Sequence, residues 1–395
     1  MPQTRQFLAY IETMHAQLRR FIQRSALALA CAALLSASLH AAPLAVRKVS
    51  APSGLHPLTM AIGGRMLTTA SSAPNSFGGK NYTYQWPGCY FRAAFKGSRV
   101  YFRIVRGREI LHVVVDGQPV GSLTKPAAGV YEVDGLSKGR HAITVFVATE
   151  MQDAPNTFGG FAIPRGEKAL TPAHRTRQIE FIGDSHTVGY GDLSNTRACT
   201  DTQVWYRTDD TRAFGPLTAR HFHADYQVNA ISGRGVVRNY DGFKADTLPE
   251  AYPYILFNKK QKYDDPAWHP QVIVIALGTN DFTTALNPGE PWKTRAALHA
   301  DFQKHYVQFL ESLRARNPHA YIIVWATNMA NGEIEAQVHK VVEQLKQKGF
   351  TNITYLPINN LAFGACNSHP TLADEHIISG RLIQLIDAHK NVWKR

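Results

Sequence analysis

The sequence predicts an all-β sandwich or jelly roll followed by an α/β domain built on a parallel sheet. Three observations predict it. Short strand-like runs separated by turn residues recur between about residues 43 and 170. From residue 178 onward short apolar strands alternate with longer helical patterns. A chain of 395 residues, 44% hydrophobic and 18% charged, is globular in composition and long enough for two domains.

The N-terminal 42 residues read as an export signal. Arg19, Arg20 and Arg24 form a basic region, Ala26 to Leu35 an apolar run, and Ala41 and Ala42 a small-residue cleavage site. The apolar run is too short to span a bilayer comfortably, so no stable membrane insertion is expected. The residues ahead of Met14 do not fit the signal pattern, which makes Met14 a candidate start. Leu29-Ala30-Cys31 faintly resembles a lipid-attachment box, so anchoring through Cys31 is the lesser alternative to a secreted or periplasmic product. The formal net charge is +13, of which this segment holds +3 (Arg5, Arg19, Arg20 and Arg24 against Glu12). The remaining +10 favours acidic surfaces, but no Lys/Arg block or nucleic-acid motif accompanies it. A nucleic-acid partner is therefore not expected, and monomer is the default state.

In the first domain, 43–170, strands are expected at Tyr82–Trp86, Cys89–Phe95, Val100–Val105, Ile110–Val115, Gly129–Val133 and His141–Val147. Turn signals such as Asp116-Gly117 and Lys138-Gly139 separate them. Charge and turn formers in Pro164–Arg177 mark a linker. The second domain, 171–395, starts with the apolar strand Gln178–Ile182. A helix at Ala213–His223, strands at Tyr226–Ile231 and Val272–Leu277, and an amphipathic helix at Ala300–Arg316 follow. Strand Tyr321–Ala326, helix Glu333–Lys348, strand Ile353–Leu356 and the final helix Leu372–His389 complete the alternation. Five strands of this kind fit a flavodoxin-like order, with helices on both faces and active groups at the strands' carboxyl ends.

Four short elements fall at those carboxyl ends or just before the last helix. Gly183-Asp184-Ser185 ends the first strand, where a serine hydroxyl projects above the sheet and a backbone N–H meets an anion. By itself the triplet also reads as a helix N-cap. Ser232-Gly233-Arg234-Gly235 follows the second strand, and its glycines let a backbone N–H approach a ligand. It lacks the third glycine and downstream acid of a dinucleotide site. Gly278-Thr279-Asn280-Asp281 follows the third strand. The Asn280 amide is a suitable donor to a developing oxyanion, worth about 3 kcal/mol, or else an Asx turn. Cys366-Asn367-Ser368-His369-Pro370 precedes the last helix and supplies a base. Each element alone has an ordinary structural explanation. Together, on one sheet edge, they compose acyl transfer: nucleophile Ser185, base His369, and oxyanion donors from Ser185 N–H, Gly233 N–H and the Asn280 amide. Gly235 is a neighbouring candidate for the glycine role. No cofactor or metal is called for, and no zinc-type spacing occurs; His221 and His223 read as surface residues.

These elements resemble the Ser, Gly, Asn and His blocks of the SGNH (GDSL-like) hydrolase superfamily over about residues 178–395. With the preceding β domain the chain resembles carbohydrate esterase family 2, on Ser185-His186-Thr187-Val188-Gly189-Tyr190-Gly191 and Gly278-Thr279-Asn280-Asp281-Phe282. That resemblance implies a jelly-roll domain followed by an SGNH domain. It also implies removal of acetyl groups from plant polysaccharides such as xylan and glucomannan, with an acetylated polysaccharide or oligosaccharide as partner. The sequence departs from the SGNH pattern in one place: the aspartate of Asp-x-x-His is replaced by Cys366. A Ser–His dyad is therefore expected, with a backbone carbonyl holding the imidazole tautomer, and Asp374 is expected as a helix cap. Cys199, in the loop after the nucleophile, and Cys366, beside the base, are expected to form a disulfide; the alternative is free buried thiols. Trp292 is the leading candidate to stack on a sugar, or packs on its own domain; Trp205 and Trp268 are weaker candidates. A histidine base of ordinary basicity predicts activity rising past about pH 6.5. The competing readings are an SGNH lipase or thioesterase, and a non-catalytic glycan-binding protein.

Overall fold

A computed structural model of the protein describes residues 44–73 and 76–394. The expected export signal, with Cys31, lies outside the described residues. The described residues pack as one compact unit.

The first part is an antiparallel sandwich. Its strands are β1 (Ala45–Val49), β2 (Leu55–Pro57), β3 (Met60–Gly63), β4 (Leu67–Ala70), β5 (Lys80–Tyr84), β6 (Tyr90–Gly97), β7 (Val100–Arg106), β8 (Ile110–Val115), β9 (Gln118–Thr124), β10 (Gly129–Asp134), β11 (Gly139–Val147), β12 (Asn156–Pro164) and β13 (Lys168–Leu170). One sheet runs β1-β10-β7-β12-β5-β4, with β2 on β12; the other runs β13-β6-β11-β8-β9, with β3 on β6. Alternation of buried and exposed residues in β8 and β11 shows why these segments are strands: every second side chain enters the core between the sheets. Phe91, Phe102, Phe158 and Phe161 fill that core. Sequence periodicity missed β12, the strand joining β5 and β7. Gly160 sits there at φ +93°, and the register against β7 shifts beside it, so the alternation is broken. The expected linker Pro164–Arg177 is narrower than its composition suggested, because β13 within it pairs with β6.

The second part is a five-stranded parallel sheet: β14 (Gln178–Gly183), β15 (Asp225–Ala230), β16 (Val272–Ala276), β17 (Tyr321–Ala326) and β18 (Ile353–Pro357). The order is β15-β14-β16-β17-β18, all neighbours parallel. Its helices are α1 (Ser185–Val188), α2 (Asp201–Tyr206), α3 (Phe214–His221), α4 (Leu248–Ala251), α5 (Thr279–Phe282), α6 (Arg295–Arg316), α7 (Glu333–Gln347) and α8 (Leu372–Ala388). Side chains alternate between two cores, as a doubly covered sheet demands. Ile273, Ile275, Ile322 and Val324 pack with α6 and α7. Phe181, Val274 and Ile323 pack with α3 and α8. His221 and His223 are exposed.

The sandwich contributes to both of these cores. Trp86 is buried in the first and Tyr90 in the second. Arg65, from the turn between β3 and β4, is fully buried against the other domain. Its guanidinium meets Glu180 Oε1 of β14 at 3.3 Å, donates to the Tyr252 carbonyl, and lies over the rings of Tyr252, Tyr263 and Trp86. Glu180 also accepts from the Asn229 amide at 2.6 Å and the Tyr252 hydroxyl at 2.7 Å. Removing one partner of a buried ion pair strands the other charge and costs about 3–5 kcal/mol. Arg65→Met is therefore expected to lower unfolding free energy by about that amount in urea titration. A loss below about 1 kcal/mol would show that Glu180 is adequately served by its other donors.

Candidate active site

Each catalytic candidate is placed by the chain around it. β14 ends at Gly183, where a side chain is impossible: a Cβ would lie 2.0 Å from Thr187 Oγ1. Asp184 caps α1 by accepting from His186 N at 3.1 Å. Ser185 is thus the first residue of the helix, where the backbone N–H has no partner within the helix. At the other side of the cleft His369 is extended (φ −93°, ψ 167°), the conformation that the following Pro370 favours.

His369 Nε2 lies 2.8 Å from Ser185 Oγ. Its Nδ1 lies 2.9 Å from the Cys366 carbonyl oxygen. A backbone carbonyl accepts only, so Nδ1 carries the proton and Nε2 is left free to receive one. No carboxylate takes this place. Asp374 instead caps α8, accepting from Thr371 and from the backbone of Ala362 and Phe363. The carbonyl is aimed by a tight turn in which Asn367 and Ser368 both adopt left-handed φ (+52° and +61°). A Cys199–Cys366 disulfide and a 2.8 Å bond from Asn367 N to the Arg197 carbonyl tie that turn to the loop after Ser185. The third described cysteine, Cys89, is a free buried thiol. Tyr190 lies against the His369 ring, centroids 4.2 Å apart.

Burial pushes the His369 imidazole down to about 4; the bonds to the Cys366 and Asn367 backbone only partly oppose it. This corrects the expectation of a base titrating near 6.5, which assumed ordinary solvation. Burial, with His369 beside it, holds His186 at about 3, so both rings are neutral at pH 7.

Ser185, Gly233, Asn280 and His369 line one cavity of about 410 Å³. Gly233 (φ +83°) has its N–H free of any hydrogen bond among the described residues. The Asn280 Nδ2 sits between Asp184 Oδ2 at 3.1 Å and the Arg234 carbonyl at 2.8 Å. Its two hydrogens are thus already aligned, and donation to an oxyanion entails sharing or loosening one of these contacts. Burial pushes Asp184 up to about 7, against the His186 N–H, with the Asp281 charge adding to the rise. Asp281 accepts from the N–H groups of Val236, Val237 and Arg238 and so fixes the loop beyond Gly233.

The Gly235 assignment is corrected, and Trp292 is placed beside the cavity. Gly235 does not line the cavity. It is buried, its N–H donates to Asn239 Oδ1, and a Cβ there would lie 2.1 Å from the Arg238 carbonyl oxygen, so it is a glycine for steric reasons. Trp292 lies in a neighbouring groove, which shares Phe243 with the catalytic cavity, and its indole N–H is committed to Asp301 at 2.9 Å. Of the weaker candidates, Trp205 borders a smaller pocket that shares Tyr190 with the cavity. Trp268 precedes β16 and so lies at the opposite, amino end of the sheet. Sequence reasoning did not pick out Gln152, Tyr240 and Phe243, which complete the cavity wall. Tyr240 and Phe243 are 52% and 43% exposed at its rim, a feature only the folded surface displays.

The family described as Carbohydrate esterase 2 N-terminal matches residues 76–172, and the GDSL-like Lipase/Acylhydrolase family matches residues 181–381. An acetylxylan esterase / glucomannan deacetylase of Cellvibrio japonicus is 42% identical over 362 residues, covering 91% of this chain and 96% of that protein. The chain belongs to carbohydrate esterase family 2, within the GDSL-like hydrolases. A solved carbohydrate esterase, described as having an active site with divergent catalytic and non-catalytic binding functions, superposes on the esterase with a TM-score of 0.80. It shares 42% identity and covers 85% of this chain and 99% of its own. A family two carbohydrate esterase from Clostridium thermocellum, solved with cellohexaose, gives a TM-score of 0.71 at 26% identity, covering 85% of this chain and all of its own.

Two outcomes follow for the esterase. A general base must be neutral to act, so the acid limb of kcat/KM is expected close to the lowered value of about 4. A limb at or above about 6.5 in a pH–rate profile would contradict burial as the dominant influence on His369. Replacing both Cys199 and Cys366 by serine is expected to cost about 3–5 kcal/mol of stability and to lower kcat, because it frees the turn whose carbonyl orients His369. Thermal unfolding and turnover of the double variant check this.

Proposed function

We propose that this esterase is an exported carbohydrate O-acetyl esterase that deacetylates plant polysaccharides of the xylan and glucomannan type through a Ser185–His369 dyad. The observation that carries the proposal is the His369 Nε2–Ser185 Oγ contact with Nδ1 held by a carbonyl. Ser185 Oγ attacks the acetyl carbonyl as its proton passes to His369 Nε2. The oxyanion that forms meets the N–H groups of Ser185 and Gly233 and the Asn280 amide. The imidazolium returns the proton to the departing sugar oxygen, leaving acetyl-Ser185. Water then repeats the sequence, with His369 taking its proton, and acetate is released. The imidazolium is stabilised by bonds to the Cys366 and Asn367 backbone, weaker partners than a carboxylate.

The cavity supports a short acyl group on a hydrated sugar over a long acyl chain. Its walls include the polar side chains of Gln152, Asn280 and Asn367, while Tyr240 and Phe243 offer ring faces at the rim. Export is supported by the Cys199–Cys366 disulfide, which persists in oxidising compartments.

Acetate release from acetylated xylan and p-nitrophenyl acetate tests the proposal. Ser185→Ala and His369→Ala are each expected to lose about three orders of magnitude or more in kcat, and acetyl esters to be cleaved far faster than octanoyl esters. A wild-type protein inert on acetyl esters, or an octanoyl preference, would overturn the acetyl-esterase reading.

A further inference from the structure

The loop between β11 and β12 belongs to the sandwich, yet it reaches the catalytic cavity. There it holds Ser232, the residue before the proposed oxyanion donor Gly233. Glu150 Oε1 accepts from Ser232 N at 2.8 Å. Gln152 Nε2 donates to the Ser232 carbonyl oxygen at 3.0 Å and also contacts Glu150 Oε1 at 3.2 Å. Among the described residues, neither backbone polar group of Ser232 has a hydrogen-bond partner within the α/β domain.

The geometry of one peptide bond makes this clamp consequential. The Ser232 carbonyl and the Gly233 N–H belong to the same planar unit, and there are no cis peptides among the described residues. In a trans peptide these two groups point in opposite directions. Drawing the Ser232 oxygen toward Gln152 therefore turns the Gly233 N–H away from the sandwich. Glycine at φ +83° has little intrinsic preference for this orientation, so something outside it must choose. The next peptide is fixed separately: Tyr240 N donates to the Gly233 carbonyl at 2.9 Å. The clamp is itself braced. Gln85 donates to the Gln152 carbonyl at 2.9 Å and accepts from Phe257 N at 3.0 Å, bridging the two domains.

We infer that Glu150 and Gln152 of the β-sandwich are positioning residues for the oxyanion hole, aiming the Gly233 N–H by clamping Ser232 from the neighbouring domain. The inference rests on the dyad reading above. On it, the sandwich is a working part of the esterase, because among the described residues the α/β domain alone offers neither backbone polar group of Ser232 a partner.

The test uses Gln152→Glu, which keeps the shape but replaces the donor by an acceptor facing a carbonyl, together with Gln152→Leu, Glu150→Ala and Glu150→Gln. Kinetics on p-nitrophenyl acetate, thermal midpoints and affinity for ethylboronic acid, which forms a tetrahedral adduct on an activated serine, are measured for each. A misaimed donor acts on the transition state and not on ground-state binding. The expectation is a kcat loss of about tenfold to a hundredfold in Gln152→Glu, Gln152→Leu and Glu150→Ala. KM should stay within about twofold and the thermal midpoint unchanged. Boronate affinity should fall in parallel with kcat, and Glu150→Gln, which retains an acceptor oxygen, should recover most of the Glu150→Ala loss. Near-wild-type kcat in Gln152→Glu alongside inactive Ser185→Ala would overturn the positioning role and leave the dyad standing. Parallel loss of kcat, KM and thermal midpoint would also overturn it, by reducing the clamp to general support of the fold.

Discussion

Glu180 is a carboxylate in the middle of the first parallel strand, nearly excluded from water, and its need for donors shapes the molecule. An uncompensated charge there would cost several kcal/mol. The sheet and its connections supply Asn229 and Tyr252; the remaining donor, Arg65, comes from the sandwich. Arg65 is itself enclosed by three aromatic rings. The pair thus satisfies each partner only when the sandwich is seated in one place. Trp86 and Tyr90, buried in the two cores of the α/β domain, enforce the same seat by apolar packing. A flexible tether between independent domains is incompatible with this interface. The loop that reaches Ser232 is delivered as a consequence.

The proposed dyad illustrates a trade made by local electrostatics. A carboxylate behind the histidine would raise its basicity and stabilise the imidazolium. Here a peptide carbonyl fixes the tautomer and offers only a dipole, and burial drives the imidazole down. The base is weaker, but it is unprotonated over a wider range of acidity. What the carbonyl loses in charge it regains in rigidity, since its turn is locked by a disulfide and by the Arg197 carbonyl. Precise aim matters for a base that must meet Ser185 Oγ at hydrogen-bond distance.

Much of this was legible in the sequence, for identifiable reasons. The five strands of the sheet are apolar runs because both faces are covered, and such runs stand out from any background. Ser185, Asn280 and His369 were legible because each sits at a strand's carboxyl end or a helix start, positions that the strand–helix rhythm locates. Gly233 was distinguishable from Gly235 only in three dimensions, since both are glycines in one turn and differ in which N–H is spent. Trp292 lies in the groove beside the cavity, a placement that its position in a loop near the active block does not record. β12 was hidden by its own bulge.

The sequence by itself determined the strand–helix order of the α/β domain, the positions of Ser185 and His369, and the absence of a carboxylate at Cys366. These are properties of short segments, written in residue type and period. Tertiary structure alone decided the depressed basicity of His369, because desolvation depends on what packs around the ring and not on its neighbours in the chain. It alone decided that Gln152 faces Ser232 across 80 residues, because long-range register is set by how two domains dock. Docking in turn follows from burying Arg65 against Glu180, a pairing between side chains 115 residues apart that no local pattern encodes.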